Sequence, residues 1–296
     1  MSMSPTRPIV VGYDESEPSK AALQWAARAA ERGGRQLEIF HSAEFVHVAP
    51  DGEADTWKVS TIKNEAEKAA LRGAEWVSEA FPDLPTQTVG GLFHVKTALA
   101  ERSTHASMLV LGNHGRGRIG AALLGSTAYT MAGYAKCPVV IVRDGASPPP
   151  GPEYPVMVAA NDSPGSDRAV ETAADLATEW GAPMVIVTSW NPAPPDPWNQ
   201  GPLGYNSPAE ASAAYLALAE RINAKTVGWV TSAHPELQIE GRIVEGHPID
   251  ALVEASRSAG ILVSGTRGHG RLVGTLLGST SMGLLRLASV PVMIVD

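Results

Sequence analysis

LGNHGRGRIGAALLGSTAYTMAGYAKCPVVIV, residues Leu111–Val142, occurs a second time as SGTRGHGRLVGTLLGSTSMGLLRLASVPVMIV, residues Ser264–Val295. The two copies align without a gap at a constant offset of 153 residues. Gly112, Gly115, Gly117, Gly125 and Ser126 fall on Gly265, Gly268, Gly270, Gly278 and Ser279. Each copy begins in a short apolar run, MLVLG at Met108–Gly112 and ILVSG at Ile261–Gly265. Each ends in proline and another apolar run, PVVIV and PVMIV. The pattern reads as strand, glycine loop, helix, strand. A glycine-rich turn between a strand and a helix lets backbone N–H groups approach an anion closely. The helix N-terminus adds a favourable partial charge.

The remaining segments repeat the same alternation. Ile9–Tyr13 is an apolar run suited to a buried parallel strand. It leads into Asp14-Glu15-Ser16 and an alanine-rich helix opening at Ser19 and stopped by Gly33-Gly34. Strand two is Gln36–Ala43, followed by a polar stretch, Glu44–Trp57, with weak signals. Val59–Ala80 has helical periodicity, Thr86–Gly90 reads as a strand and His94–Ser103 as a helix. After Asp144–Tyr154 the pattern restarts: strand Val156–Ala160, helix Asp167–Glu179, strand Met184–Trp190, a long Pro/Gly/Asn-rich loop Asn191–Pro208, helix Ala209–Ser232, strand Leu237–Val244 and helix His247–Ser258. Three consecutive prolines in the connection predict an extended spacer outside any core. The expected domains are residues 1–145 and 155–296, with 146–154 as linker. Alternating strands and helices imply parallel sheets covered on both faces, with ligands at the carboxyl ends of the strands.

The spacing G-x-x-G-x9-G-[S/T], met by Gly112, Gly115, Gly125 and Ser126 and again by Gly265, Gly268, Gly278 and Ser279, resembles the nucleotide-binding motif of the universal stress protein family. The resemblance covers nearly the whole chain as two tandem modules. It implies an α/β fold of two tandem, doubly wound, Rossmann-like parallel five-stranded sheets of order 3-2-1-4-5. The loop after strand one then faces the glycine loop after strand four. This sets Gly12-Tyr13-Asp14 opposite Gly112–Arg118, and Ala160-Asn161 opposite Gly265–Arg271.

By the same resemblance, Asp14 contacts the adenine side of ATP. Helix capping is the alternative reading of this residue. The second module has Asn161 at the matching place, which accepts through its carbonyl and donates through its amide. Gly112, His114, Gly115 and Gly117, with Gly265, Gly268 and Gly270, are expected to cradle ribose and phosphates. Tight turns are the alternative for these glycines. Gly125, Ser126 and Thr127, with Gly278, Ser279 and Thr280, are expected at a phosphate and a helix start. Arg116, Arg118, Arg267 and Arg271 are candidates to neutralise phosphate charge. Gly12, Ala43 and Ala160 complete the expected sites, Ala43 through its backbone at the adenine pocket. His41 has no second ligand at metal spacing. Trp25, Trp57, Trp76, Trp180, Trp190, Trp198 and Trp229 read as packing residues without shared motif spacing.

The chain has 296 residues, and its 44% hydrophobic and 18% charged fractions give each half the means to build a core. A net charge of −8 argues against nucleic acid as a partner, while a local nest of N–H groups holds phosphates even on an acidic protein. The single cysteine, Cys137, excludes an intrachain disulfide and reads as buried and inert. No apolar run reaches a membrane span and no signal peptide is evident, so a cytoplasmic protein is expected. The leading functional expectation is an ATP-binding regulator of stress response or growth, with one site per module and Mg2+ as an accompanying ion. It is expected to be non-enzymatic and to form a homodimer, without nucleic acid or membrane as a partner, and the sequence names no regulatory protein partner. A slow ATP hydrolase using the same sites is the alternative, and no P-loop lysine supports it. An interaction protein with an empty crevice is a third reading.

Overall fold

The computed structural model describes residues 7–43, 56–115, 124–194, 204–267 and 277–296. The chain divides into two compact units, one ending at Pro149 and the other running from Pro150 to Asp296.

The first unit contains β1 (Ile9–Gly12), α1 (Glu17–Arg32), β2 (Leu37–Ala43), α2 (Thr56–Ala80), β3 (Thr86–Leu92), α3 (Val95–Arg102), β4 (Met108–Gly112), α4 (Ser126–Tyr134) and β5 (Val139–Val142). Its strands are all parallel, in the order β3-β2-β1-β4-β5. The second unit contains β6 (Val156–Ala159), α5 (Pro164–Trp180), β7 (Met184–Trp190), α6 (Pro208–Ala233), β8 (Ile239–Glu245), α7 (Pro248–Ala255), β9 (Ile261–Gly265), α8 (Ser279–Leu287) and β10 (Val292–Val295). Its order, β8-β7-β6-β9-β10, is the same doubly wound arrangement. The expected order 3-2-1-4-5 therefore holds in both units.

The cores follow from the apolar runs. Ile9, Val10 and Val11 of β1 and Met108, Leu109 and Val110 of β4 are fully buried, as strands covered on both faces must be. Alanines of α1 (Ala22, Ala26, Ala29 and Ala30) are fully buried as well, which lets the helix lie close to the sheet. At the far edge of the second unit, β8 is only partly buried and carries Glu240, Arg242 and Glu245. A charged edge strand discourages unwanted pairing.

Helices α1 and α5 start earlier than the sequence reading placed them, because serines cap them. Ser16 Oγ accepts from the Ser19 N–H and α1 begins at Glu17. Ser163 Oγ accepts from the Ser166 N–H at 3.2 Å and α5 begins at Pro164. Proline in a first helical turn lacks only an N–H that would find no helical partner there. Gly181 ends α5 in the left-handed region, with φ of 61°. β3 extends through Gly90, which lies directly against the backbone of Ala66 and Glu67 on α2. A side chain at Gly90 would collide with that helix, so this glycine continues the strand rather than ending it.

The proline connection departs from expectation. Pro149 and Pro150 are buried rather than excluded from the interior. Arg32 donates from Nη1 to the Pro149 carbonyl at 3.0 Å, and Gly151 and Tyr154 pair through two 3.0 Å backbone bonds. Proline has no N–H to leave unsatisfied, so its burial requires a partner only for the carbonyl. Among the described residues, no helix is long and apolar enough to cross a membrane.

Candidate functional site

In the first unit a cavity of about 500 Å³ opens at the carboxyl ends of β1 and β4. This is where a doubly wound sheet reverses strand order and binds its ligands. The size falls within the range of about 300–1,000 Å³ common to small-molecule sites. Gly12, Asp14, Ala43, Gly112, His114, Gly115, Gly125, Ser126 and Thr127 all line it, so nine of the predicted residues share one space.

The loop after β1 is built to aim Asp14. The Tyr13 N–H bonds the Phe40 carbonyl at 2.9 Å, and His41 Nδ1 lies 2.7 Å from the Tyr13 carbonyl oxygen. The Asp14 N–H donates to Ser19 Oγ at 3.2 Å. Asp14 Oδ1 accepts from the Ser16 N–H at 3.1 Å and from the Ser16 hydroxyl. Asp14 thus orients the serine that caps α1 and is not the cap itself. The other carboxylate oxygen, Oδ2, turns across the crevice towards the glycine loop: a Cβ added to Gly115 would sit 2.6 Å from it.

The glycines divide into two jobs. Gly112 faces the first turn of α1, where a Cβ would come within 2.7 Å of the Pro18 carbonyl carbon. Gly265 faces Gly165 in the same way, at 2.7 Å from that carbonyl carbon. These two allow a helix to pack on a strand end, a role distinct from contacting a ligand. Gly125 and Gly278 are the N-caps of α4 and α8, and neither helix has a side-chain cap. Their own N–H groups bond the carbonyls of Asn113 at 2.7 Å and Thr266 at 2.8 Å. With glycine as cap, the first-turn N–H groups of Ser126, Thr127 and Ala128 find no acceptor within the helix. All three residues line the cavity, so the end of α4 offers donors and a partial positive charge to an anion. His114 Nδ1 is buried without a hydrogen-bond partner among the described residues.

Six lining residues escaped the sequence reading: Ser19, Phe40, Val95, Leu99, Leu111 and Ala128. Val95 and Leu99 stand four apart on α3 and form an apolar wall, a signal too short to distinguish from ordinary core spacing. His41 is 7% exposed and held against the Tyr13 carbonyl, which gives it a structural partner. Among the described residues, no group of three or more His, Cys, Asp or Glu side chains could hold a metal ion.

The second unit reproduces the geometry with altered chemistry. The Asn161 N–H donates to Ser166 Oγ at 3.0 Å. Asn161 Oδ1 accepts from the Ser163 N–H at 3.3 Å and hydroxyl at 2.7 Å. Ala160 is buried, while Asn161 and Arg267 are exposed. Ser279 and Thr280 open α8, and Ser281 in the same turn donates to the Gly265 carbonyl at 2.7 Å. The predicted Arg116, Gly117, Arg118, Gly268, Gly270 and Arg271 lie outside the described residues.

One duplicated feature was not anticipated. Glu15 and Asp162, with φ of 66° and 58°, are the only non-glycine residues with positive φ among those described. Each follows the site residue of its unit, Asp14 or Asn161. Each is tied to the following long helix: Arg72 Nε to Glu15 at 2.7 Å on α2, and Lys225 Nζ to Asp162 at 2.5 Å on α6. Arg72 and Lys225 stand at the 153-residue offset of the repeat. Both bases are raised in pKa, by the hydrogen bond to their acid first.

Two doubly wound parallel modules in tandem, the first with a crevice joining strand one to a glycine-capped helix, define a class of α/β protein. The chain belongs to the universal stress protein family, whose model matches residues 5–143 and again 154–296. A universal stress protein of Mycolicibacterium smegmatis is 30% identical over 97% of this chain and 96% of its own length. One from Mycobacterium tuberculosis is 31% identical over 97% of this chain and 96% of its own. The crystal structure of a universal stress protein from Archaeoglobus fulgidus matches 98% of each chain with a TM-score of 0.67 at 19% identity, which speaks to the fold alone.

Proposed function

We propose that this chain is a nucleotide-dependent regulatory protein that binds ATP in the first unit between Asp14 and the N-terminus of α4, and a second nucleotide at the matching place in the second unit. The observation that carries this reading is the single cavity shared by the Asp14 carboxylate, the Gly115 backbone and the uncapped first turn of α4. A carboxylate oxygen suits an exocyclic amine of a base. Backbone donors at a helix start suit a phosphate. Apolar Val95, Leu99 and Phe40, which line the same cavity, suit the faces of a ring. Regulation rather than turnover is the proposed output, with Mg2+ as the counter-ion of the bound phosphates.

Titration calorimetry of nucleotide-free protein with ATP, beside chromatography of the nucleotides released from freshly purified protein, tests this. One adenine nucleotide bound per unit, released chemically unchanged, is the expected result. No affinity for any adenine nucleotide would overturn the proposal. Steady conversion of ATP to ADP, lost in Gly115→Ala, would replace regulation by hydrolysis.

A further inference from the structure

A second cavity of the first unit, about 470 Å³ in volume, lies between α1, α2 and the segment that follows β5. It has no part in the nucleotide crevice except a common wall, Tyr13, which lines both. Its charged lining is Lys20, Arg28, Arg72 and Arg143 against Glu17 and Asp144. On a chain of net charge −8 this is a local inversion of sign. Glu17 is already engaged by Lys20 at 2.7 Å. Arg143 is half-buried, and burial lowers its pKa. The indole of Trp25, 3% exposed, and that of Trp76, 39% exposed, supply aromatic surface beside these cations.

The duplication provides an internal control. α1 and α5 superpose in sequence at an offset of 147, with Ser16 on Ser163 and Ser19 on Ser166 in the same capping bonds. At that offset Lys20, Trp25 and Arg28 correspond to Asp167, Thr172 and Asp175. At the 153 offset Arg143 corresponds to Asp296, whose carboxylate accepts from Thr266 Oγ1 at 2.7 Å. Three of the four cations have become acids in the second unit. Arg72 alone keeps a base, Lys225, and it serves the Glu15 contact already described. Trp76 also keeps its counterpart, Trp229, so the tryptophans do share one repeat spacing after all. The fold requires neither the cations nor Trp25, since the second unit folds the same way without them.

We propose that this cavity of the first unit binds a small aromatic anion, a planar ring bearing an acidic group. The ring lies against Trp25 and Trp76, and the acid is held by Arg28 and Arg143. Guanidinium groups pair with planar acids and stack on aromatic faces, and the cavity offers both contacts at once. The nearby exposed charges make the binding sensitive to salt.

The probe is 8-anilinonaphthalene-1-sulfonate, read by energy transfer from tryptophan in nucleotide-free protein, with the uncharged N-phenyl-1-naphthylamine as its partner. The expected result is saturable binding of one sulfonate probe per chain, weakened by added salt and at least tenfold weaker for the uncharged ring. Arg28→Asp and Arg143→Asp, which install the residues of the second unit, each lower the affinity at least tenfold, while Asp14→Ala leaves it unchanged. Arg28 is exposed on α1, so its variant stays informative even if the Arg143 variant does not fold. Equal affinity in Arg28→Asp, equal binding of the uncharged ring, or loss of probe binding in Asp14→Ala would each overturn the proposal. The last outcome would place the probe in the nucleotide crevice instead.

Discussion

Gly115 and Gly265 belong to one repeated motif, yet a methyl group meets different obstacles at each. At Gly115 the obstacle is Asp14 Oδ2, the far end of a flexible side chain. Gly115→Ala is therefore expected to leave the fold intact and to weaken nucleotide binding in the first unit about tenfold, or ~1.4 kcal/mol, by displacing that oxygen. Calorimetric titration checks it. At Gly265 the obstacle is the backbone of Gly165, which cannot swing aside. Gly265→Ala is expected to destabilise the second unit by about 1–3 kcal/mol, the usual cost of overpacking. Chemical denaturation measures it, and an unchanged midpoint would contradict the contact. Cys137 is a third case. The residue is only half-buried, not buried as its sequence context suggested, yet desolvation pushes its thiol up to about 12. A raised thiol pKa favours the neutral form in the folded state. Its contribution to stability is complete below the unfolded pKa of 9.0 and is lost as pH rises towards about 12. Disulfide-exchange labelling at pH 8 should be slow in native protein and fast after unfolding.

At the level of elements, the strand–loop–helix–strand order was legible in the sequence because apolar runs, glycines and prolines punctuate it so sharply. Strand order came through the family motif, as register between distant strands leaves no local mark. The lining of the candidate cavity was legible from the glycine motif at Gly115 and Gly125, whereas the same motif marked Gly112, where the missing side chain lets α1 pack on the strand end. What stayed hidden depends on partners far apart in sequence, chiefly Arg72 with Glu15 and Lys225 with Asp162. A left-handed residue other than glycine costs about 1 kcal/mol. The ion pair holds that conformation and with it the turn that aims Asp14. Arg72→Gln is thus expected to weaken nucleotide binding in the first unit several-fold without altering the second. Adding Glu15→Gly to it should restore most of the loss, since glycine adopts the turn unaided. Failure of the double variant to recover affinity would mean that Arg72 acts in another way.

Across the whole molecule, duplication has preserved a scaffold and changed what it presents. In both units the Oδ1 atom of the site residue is consumed by a capping serine, Ser16 or Ser163. The other terminal side-chain atom is an acceptor, Oδ2, on Asp14. On Asn161 it is a donor, Nδ2, because the Ser163 N–H requires the carbonyl oxygen of the amide on its side. An acceptor complements the exocyclic amine of adenine, whereas a donor complements the carbonyl of a keto purine. The two units are accordingly expected to differ in base preference: the first favours ATP over ITP, and the second loses or reverses that preference. Calorimetry with the two nucleotides in turn resolves this as two classes of site for ATP. Asn161→Asp should merge them into one class and impose the adenine preference on both units. If Asn161→Asp leaves ATP and ITP binding as they were, the side chain at this position does not read the base, and the asymmetry must then come from the glycine loop.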